Sequence, residues 1–202
     1  DPAISTYRDY RQLLEIPGIS AVSIATPPNT HAAIACDALR NGKHVFLEKP
    51  PALKVKEVHQ LAALANTVGK VLFTGYHTRY RPEVDMAKKL LAGRNVSRIV
   101  VTYAEDVRHW HGPHAWVFDP DVAGGGVLID SGINVLSVVM YVLPDFKYRI
   151  LNCHRQFADN SRVETSVHVS FEFGIGTAGH NVGHIRMHWL YKGDEVRAIE
   201  FV

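Results

Sequence analysis

Three short apolar runs separated by helical stretches constrain the first part of this chain more than any other feature. Ile19–Ala25, residues 44–48 and Val71–Gly75 are nearly continuous in apolar side chains, the pattern of strands buried in a parallel sheet. Between them lie helical patterns at about 30–41, closed by Gly42, and about 54–68, with Gly69 at the end. Another, over 7–16, precedes the first run and stops at Pro17-Gly18. Strand, helix, strand, helix, strand at this spacing requires right-handed crossovers and a parallel sheet.

In such a sheet ligands collect at the C-terminal ends of the strands. The middle run, KHVFLEKPP (Lys43–Pro51), delivers Glu48 and Lys49 to one such end, where Pro50 and Pro51 stop further pairing. The first run ends in Thr26-Pro27-Pro28-Asn29-Thr30-His31 and the third in Tyr76-His77. The plain alternative for Glu48 and Lys49 is a solvated pair at an ordinary strand end.

After Pro82 the rhythm changes. A helix at 82–92 and a strand-like stretch at 97–107 lead into a loop rich in His and Trp, 108–123. A Gly-rich entry then opens a helix at about 124–142, followed by strands near 147–157, 163–173, 184–191 and 195–202. Val167, Val169, Phe171 and Phe173 alternate as in a half-buried antiparallel strand. The expected architecture is α/β: a partial Rossmann parallel sheet, then an α+β domain with a mostly antiparallel sheet. The boundary falls near residue 80, giving domains 1–80 and 81–202.

Charge and composition exclude some classes. With a net charge of +2 and no dense Lys/Arg cluster, no nucleic-acid face is expected. No apolar run approaches membrane-spanning length and no signal peptide is visible, so the expectation is a cytoplasmic protein without a membrane partner. Cys36 and Cys153 read as reduced core residues. Among 12 histidines, His109, His111 and His114 are close in sequence, as are His184 and His188, but no cysteine or paired carboxylate completes a metal shell. No metal is expected. The chain opens at Asp1, inside an α/β rhythm, so a missing N-terminal portion is expected.

TPPNTH after one strand, EKP after the next, and GGGVLIDSGINVLSVV (124–139) together resemble the Gfo/Idh/MocA family of oxidoreductases, with its GGG-x-x-x-D-x-G-x-[HN] signature. EKP alone is weak; the three in this order and spacing are specific, and the likeness runs from about residue 7 to 173. Within the family the pattern EDVR-x-WH, here Glu105 to His111, is similar to aldose 1-dehydrogenases acting on L-arabinose or D-galactose.

The resemblance implies a cofactor, NAD or NADP, met by Thr26, Pro27, Pro28, Asn29, His31, Glu48, Lys49, Pro50 and His77. It implies substrate contacts from His77, Glu105, Trp110, His111, Asp130 and Asn134, and catalytic roles for Lys49, Asp130 and Asn134. A carboxylate, an imidazole and an indole suit a sugar's hydroxyls and apolar face. Trp116 shields the pocket or simply packs. A lysine desolvated beside a cationic ring gives up its proton more readily, which suits Lys49 as general base. Glu48 orients Lys49 or a cofactor hydroxyl. Asp130 and Asn134, four apart, share a helix face. Many family members carry His at the position of Asn134; an amide exchanges no proton, so that role moves to Lys49 or Asp130, with Lys49 favoured. The three glycines let the backbone approach a ligand, and the helix start favours anions.

The implied reaction is oxidation of an aldose at C1 to its lactone. Oxidation of inositol or another sugar hydroxyl, and a non-catalytic nucleotide sensor, are the alternatives. A homodimer or homotetramer through the second domain's uncovered sheet face is implied as well. Two departures stand out. The family's GxGxxG fingerprint after its first strand is absent, as is the residue that chooses NAD or NADP. A literal GxGxxG at Gly174, Gly176 and Gly179 follows an alternating strand and precedes no helical stripe, so it reads as a loop.

Overall fold

A computed structural model describes residues 4–112, 115–158, 160–175 and 181–202. The chain divides into two compact units, Asp1–Gly75 and Tyr76–Val202. The division falls at the end of the third strand rather than near residue 80.

The first unit runs α1 (Tyr10–Leu14), β1 (Ala21–Ile24), α2 (Pro28–Arg40), β2 (His44–Leu47), α3 (Val55–Thr67) and β3 (Leu72–Thr74). Its three strands are parallel, in the order β1-β2-β3, with Ser23 opposite Phe46 and Phe46 opposite Phe73. Pro28 starts α2 two residues earlier than the periodicity suggests, because proline at the first helical position gives up only an N–H that the helix leaves unpaired. Ile24, Val45 and Leu47 pack against Ala35, Ala38 and Leu39 of α2 and Leu61 and Ala65 of α3. The small side chains of α2 let its backbone lie close to the sheet.

The strands are not buried on both faces, as their continuous apolar runs suggest. Phe46 and Phe73 stack at 5.7 Å on the opposite face and stay 42% and 39% exposed. Lys43, at the head of β2, is buried, and its Nζ donates to the carbonyls of Ile16 (3.0 Å) and Ile19 (2.8 Å).

The second unit opens with a 3-10 turn, His77–Tyr80, then α4 (Pro82–Leu91) and β4 (Arg98–Ala104). Where the sequence suggests a loop over 108–123 there are short helices: α5 (Arg108–His111), a 3-10 turn (Trp116–Phe118) and α6 (Pro120–Ala123). A π-helical turn, Leu128–Gly132, leads into α7 (Ile133–Val142). Then come β5 (Phe146–Gln156), β6 (Ser166–Ile175), β7 (Asn181–His188) and β8 (Val196–Phe201). The sheet order is β5-β6-β7-β4-β8, antiparallel except for β4 beside β7.

Val135, Val138, Val139 and Val142 of α7 bury one face of this sheet against Ile99, Val101, Val169, Phe171 and Ile185. Within Pro120–Val142 an 18-residue window has a mean hydropathy of 1.6, enough by length and composition alone to cross a membrane. Here it supplies the core of the second unit. The other sheet face is polar, with Arg149 paired to Glu172 at 2.6 Å and His168 and Arg186 exposed. Cys153 is exposed on the edge strand β5 rather than in the core; both cysteines are free. Of the literal glycine motif, Gly174 lies in β6, and Gly176 and Gly179 fall outside the described residues.

Candidate functional site

In the first unit the predicted cofactor residues collect at the C-terminal ends of β1 and β2, and one side chain ties them together. His31, 1% exposed, has Nε2 2.7 Å from the carbonyl oxygen of Thr26 and Nδ1 2.7 Å from that of Pro50. Both ring nitrogens thus face the chain's own backbone. His31 braces the turn after β1 against the turn after β2, so the structure gives this expected cofactor residue a role in holding the two turns together. Thr26 Oγ1 lies 2.7 Å from Thr30 Oγ1, which donates to the carbonyl of Pro27 at 2.8 Å. Pro28 and Pro50 are buried, while Thr26 and Asn29 are exposed. Glu48 turns back on its own chain, its Oε2 accepting from the backbone N–H of Lys49 at 3.1 Å. Lys49, half-buried, precedes Pro50 across a cis peptide bond. A Cβ on Gly75 would stand 3.0 Å from the Phe46 ring and 3.5 Å from Glu48 Oε1, so glycine lets the end of β3 pass close to Glu48.

In the second unit a cavity of about 390 Å³ brings together His77 and Asn134, both predicted, with Tyr103 and Arg197, which were not. Its floor is apolar, from Val84 of α4, Val138 of α7 and Ile199 of β8. This volume lies within the range of small-molecule sites. The Asn134 amide donates to the Asp130 carbonyl at 3.4 Å, while its Oδ1 is buried without a hydrogen-bond partner among the described residues. Such an acceptor invites a ligand hydroxyl. Asp130 stands one turn earlier, in the π-helical turn, and does not line this cavity. Irregular turns of this kind recur at functional sites.

The glycine run ahead of it serves the fold. A Cβ on Gly126 would collide with the carbonyl of Glu164. The buried Glu164 carboxylate accepts from the N–H groups of Gly126 (3.0 Å) and Leu128 (3.2 Å), so the chain itself fills the helix start. The close backbone approach expected for a ligand is made to Glu164 instead.

The EDVR-x-WH segment splits. Glu105 is buried, its Oε2 2.9 Å from Arg197 Nη2 and its Oε1 accepting from Ser131 Oγ at 3.3 Å. Ser131 Oγ in turn accepts from Trp189 Nε1 at 3.1 Å. Both Glu105 oxygens are therefore engaged within the protein. Tyr103, over which Arg197 Cζ sits at 5.3 Å, has its phenol pushed up to about 12, by burial first and then by the charge of Glu105. Arg108 holds Asp106 down at about 2 through paired hydrogen bonds of 2.8 and 2.6 Å. Trp110 is 65% exposed, and His111 meets Trp116 edge-on at 5.8 Å; none of the three lines the cavity. His114 lies outside the described residues, and among those described no three His, Cys, Asp or Glu side chains form a metal group.

Tyr103 was findable, since strand alternation puts it on the same side as Glu105. Arg197 was not. It arrives through the antiparallel pairing of β8 on β4, which sets it opposite Tyr103.

Comparison with known proteins agrees with this fold. Residues 1–76 match the oxidoreductase family with an NAD-binding Rossmann fold. Galactose 1-dehydrogenase of Pseudomonas fluorescens is 34% identical over 151 residues, 71% of this chain and 45% of that relative. The chain thus spans about half of that curated relative. The crystal structure of D-galactose-1-dehydrogenase from Rhizobium etli superposes with a TM-score of 0.87 at 35% identity, covering 100% of this chain and 63% of that one. An inositol dehydrogenase homolog from Azotobacter vinelandii, complexed with NAD+, gives 0.86 at 28% identity, covering 97% and 54%. The braced turns at the ends of β1 and β2 fit one end of a dinucleotide site; the glycine-rich phosphate cradle is not in the parallel strands of this chain. By sequence and by the fold of both units, the chain belongs to the Gfo/Idh/MocA oxidoreductase family with an NAD-binding Rossmann fold.

Proposed function

We propose that the protein containing this chain is a sugar dehydrogenase that oxidises an aldose at C1 to its lactone, with NAD or NADP as cofactor. The observation that carries this reading is the cavity of the second unit, where the unpartnered Asn134 Oδ1, His77, Tyr103 and Arg197 ring an apolar floor. Polar groups around an apolar base suit the hydroxyls and carbon face of a sugar ring. The likeness to two galactose 1-dehydrogenases supports C1 as the site of oxidation.

When bound, the nicotinamide cofactor supplies the two-electron acceptor. The chain supplies the rest. Lys49 accepts the proton of the sugar's C1 hydroxyl, and Glu48 fixes the backbone from which Lys49 projects. Asn134 accepts from a substrate hydroxyl, with His77 beside it in the cavity wall, and Asp130, one turn earlier, is kept as a site residue on the family pattern. Trp110 and His111 are kept as substrate-side residues on the family pattern. Thr26, Pro27, Pro28, Asn29 and Pro50 form the cofactor-facing turns. The polar open face of the large sheet is the proposed self-association surface, tested by mass in solution.

The testing experiment is sugar-dependent nicotinamide reduction with D-galactose, L-arabinose and inositol. Preference for an aldose, with a lactone as first product, supports the reading. Reduction with inositol alone moves it to a secondary hydroxyl, as the likeness to the inositol dehydrogenase homolog favours. No reduction with any of them refutes it.

A further inference from the structure

We infer that Arg197, held in place by Glu105, selects neutral sugars over acidic ones at the second unit's cavity. The inference rests on the sugar-binding reading of that cavity.

A guanidinium at a cavity wall normally recruits carboxylates, because its planar fork matches their two oxygens. Arg197 differs because its charge is already matched. Nη2 lies 2.9 Å from Glu105 Oε2 and 3.3 Å from Glu195 Oε2, and it is Nη2 that donates the hydrogen bond to Glu105. Glu105 is buried and fixed from behind by Ser131, itself held by Trp189, so its charge cannot swing away or be hydrated. The Tyr103 ring under the guanidinium sets its plane. Arginine carries five N–H donors, so the fork retains donors for hydroxyl oxygens. A sugar carboxylate approaching the same fork meets Glu105 and Glu195 as like charges. Glu105 then acts as a positioning residue, and the substrate contact passes from it to Arg197 and Tyr103. With its phenol pushed up to about 12, Tyr103 stays neutral in the working range and serves as the ring beneath the guanidinium.

The test compares D-galactose with D-galacturonate, which share C1 but differ in charge, by calorimetric binding and by turnover. For Arg197→Gln, galactose binding weakens about tenfold, with KM rising in parallel and kcat within about threefold of wild type. For Glu105→Gln, the kcat/KM ratio of galacturonate to galactose rises at least about tenfold, since one opposing charge is gone. Should Glu105→Gln fail to fold by circular dichroism, Arg197→Gln decides alone, its guanidinium being half-exposed. Galactose binding by Arg197→Gln equal to wild type overturns the inference and leaves the dehydrogenase reading standing. Wild type that binds neither sugar overturns both.

Discussion

The imidazole of His31 lies 2.7 Å from the carbonyl oxygen of Pro50, the residue that follows Lys49. Its other nitrogen is equally close to the carbonyl of Thr26, so one buried ring joins the two turns that end β1 and β2. Lys49 therefore takes its backbone position from a buried histidine near the start of α2.

Replacing that ring removes its contacts with both carbonyls and the hydrogen bond its N–H makes. His31→Ala is expected to cost about 2–4 kcal/mol of stability, read from the urea midpoint. It is also expected to lower kcat at least about tenfold, because small displacements of a catalytic group are expensive in rate. A midpoint and a kcat equal to wild type would remove the bracing role.

The glycine run carries a second prediction. Gly126→Ala forces a collision with the Glu164 backbone and is expected to destabilise by about 3 kcal/mol or more. Gly18→Ala, where an added Cβ meets nothing within 4 Å, is expected to stay within about 0.5 kcal/mol of wild type. Glu164→Ala, which strips the acceptor from two N–H groups, should fall between them, at about 2 kcal/mol. Thermal melts of the three variants check the order; a Gly126→Ala protein as stable as Gly18→Ala contradicts it.

Tyr103 gives the pH prediction. Its phenol ionises at about 12 in the folded protein against 10.0 for an unperturbed tyrosine. Between those values the folded state keeps a proton the unfolded chain has lost. The Tyr103 contribution is therefore constant below about pH 10 and falls as pH rises toward about 12. Urea midpoints over that window should decline less steeply in Tyr103→Phe than in wild type. Equal slopes would mean that another group titrates there.

Much of the first unit was legible because its signals are local. Apolar runs, helix stops and prolines set β1–β3, α2 and α3 within a few residues. Lys49 and the Asp130–Asn134 pair stood out for the same reason. What the sequence hid depends on contacts far apart in the chain. Gly126 meets Glu164 at a separation of 38 residues, and Glu105 meets Arg197 at 92. The apolar run of β2 could not reveal that Phe46 faces outward while Val45 and Leu47 face the helices. Glu105 was marked by its motif as a substrate residue; its burial and its partners belong to the packing of β8 on β4.

The most direct measurement of the central claim is turnover of Lys49→Ala with an aldose, followed as nicotinamide reduction beside wild type. If Lys49 accepts the C1 hydroxyl proton, kcat falls by about 10²–10⁴-fold while the melting temperature holds. Turnover within about threefold of wild type would contradict the assignment of Lys49 and the reaction built on it.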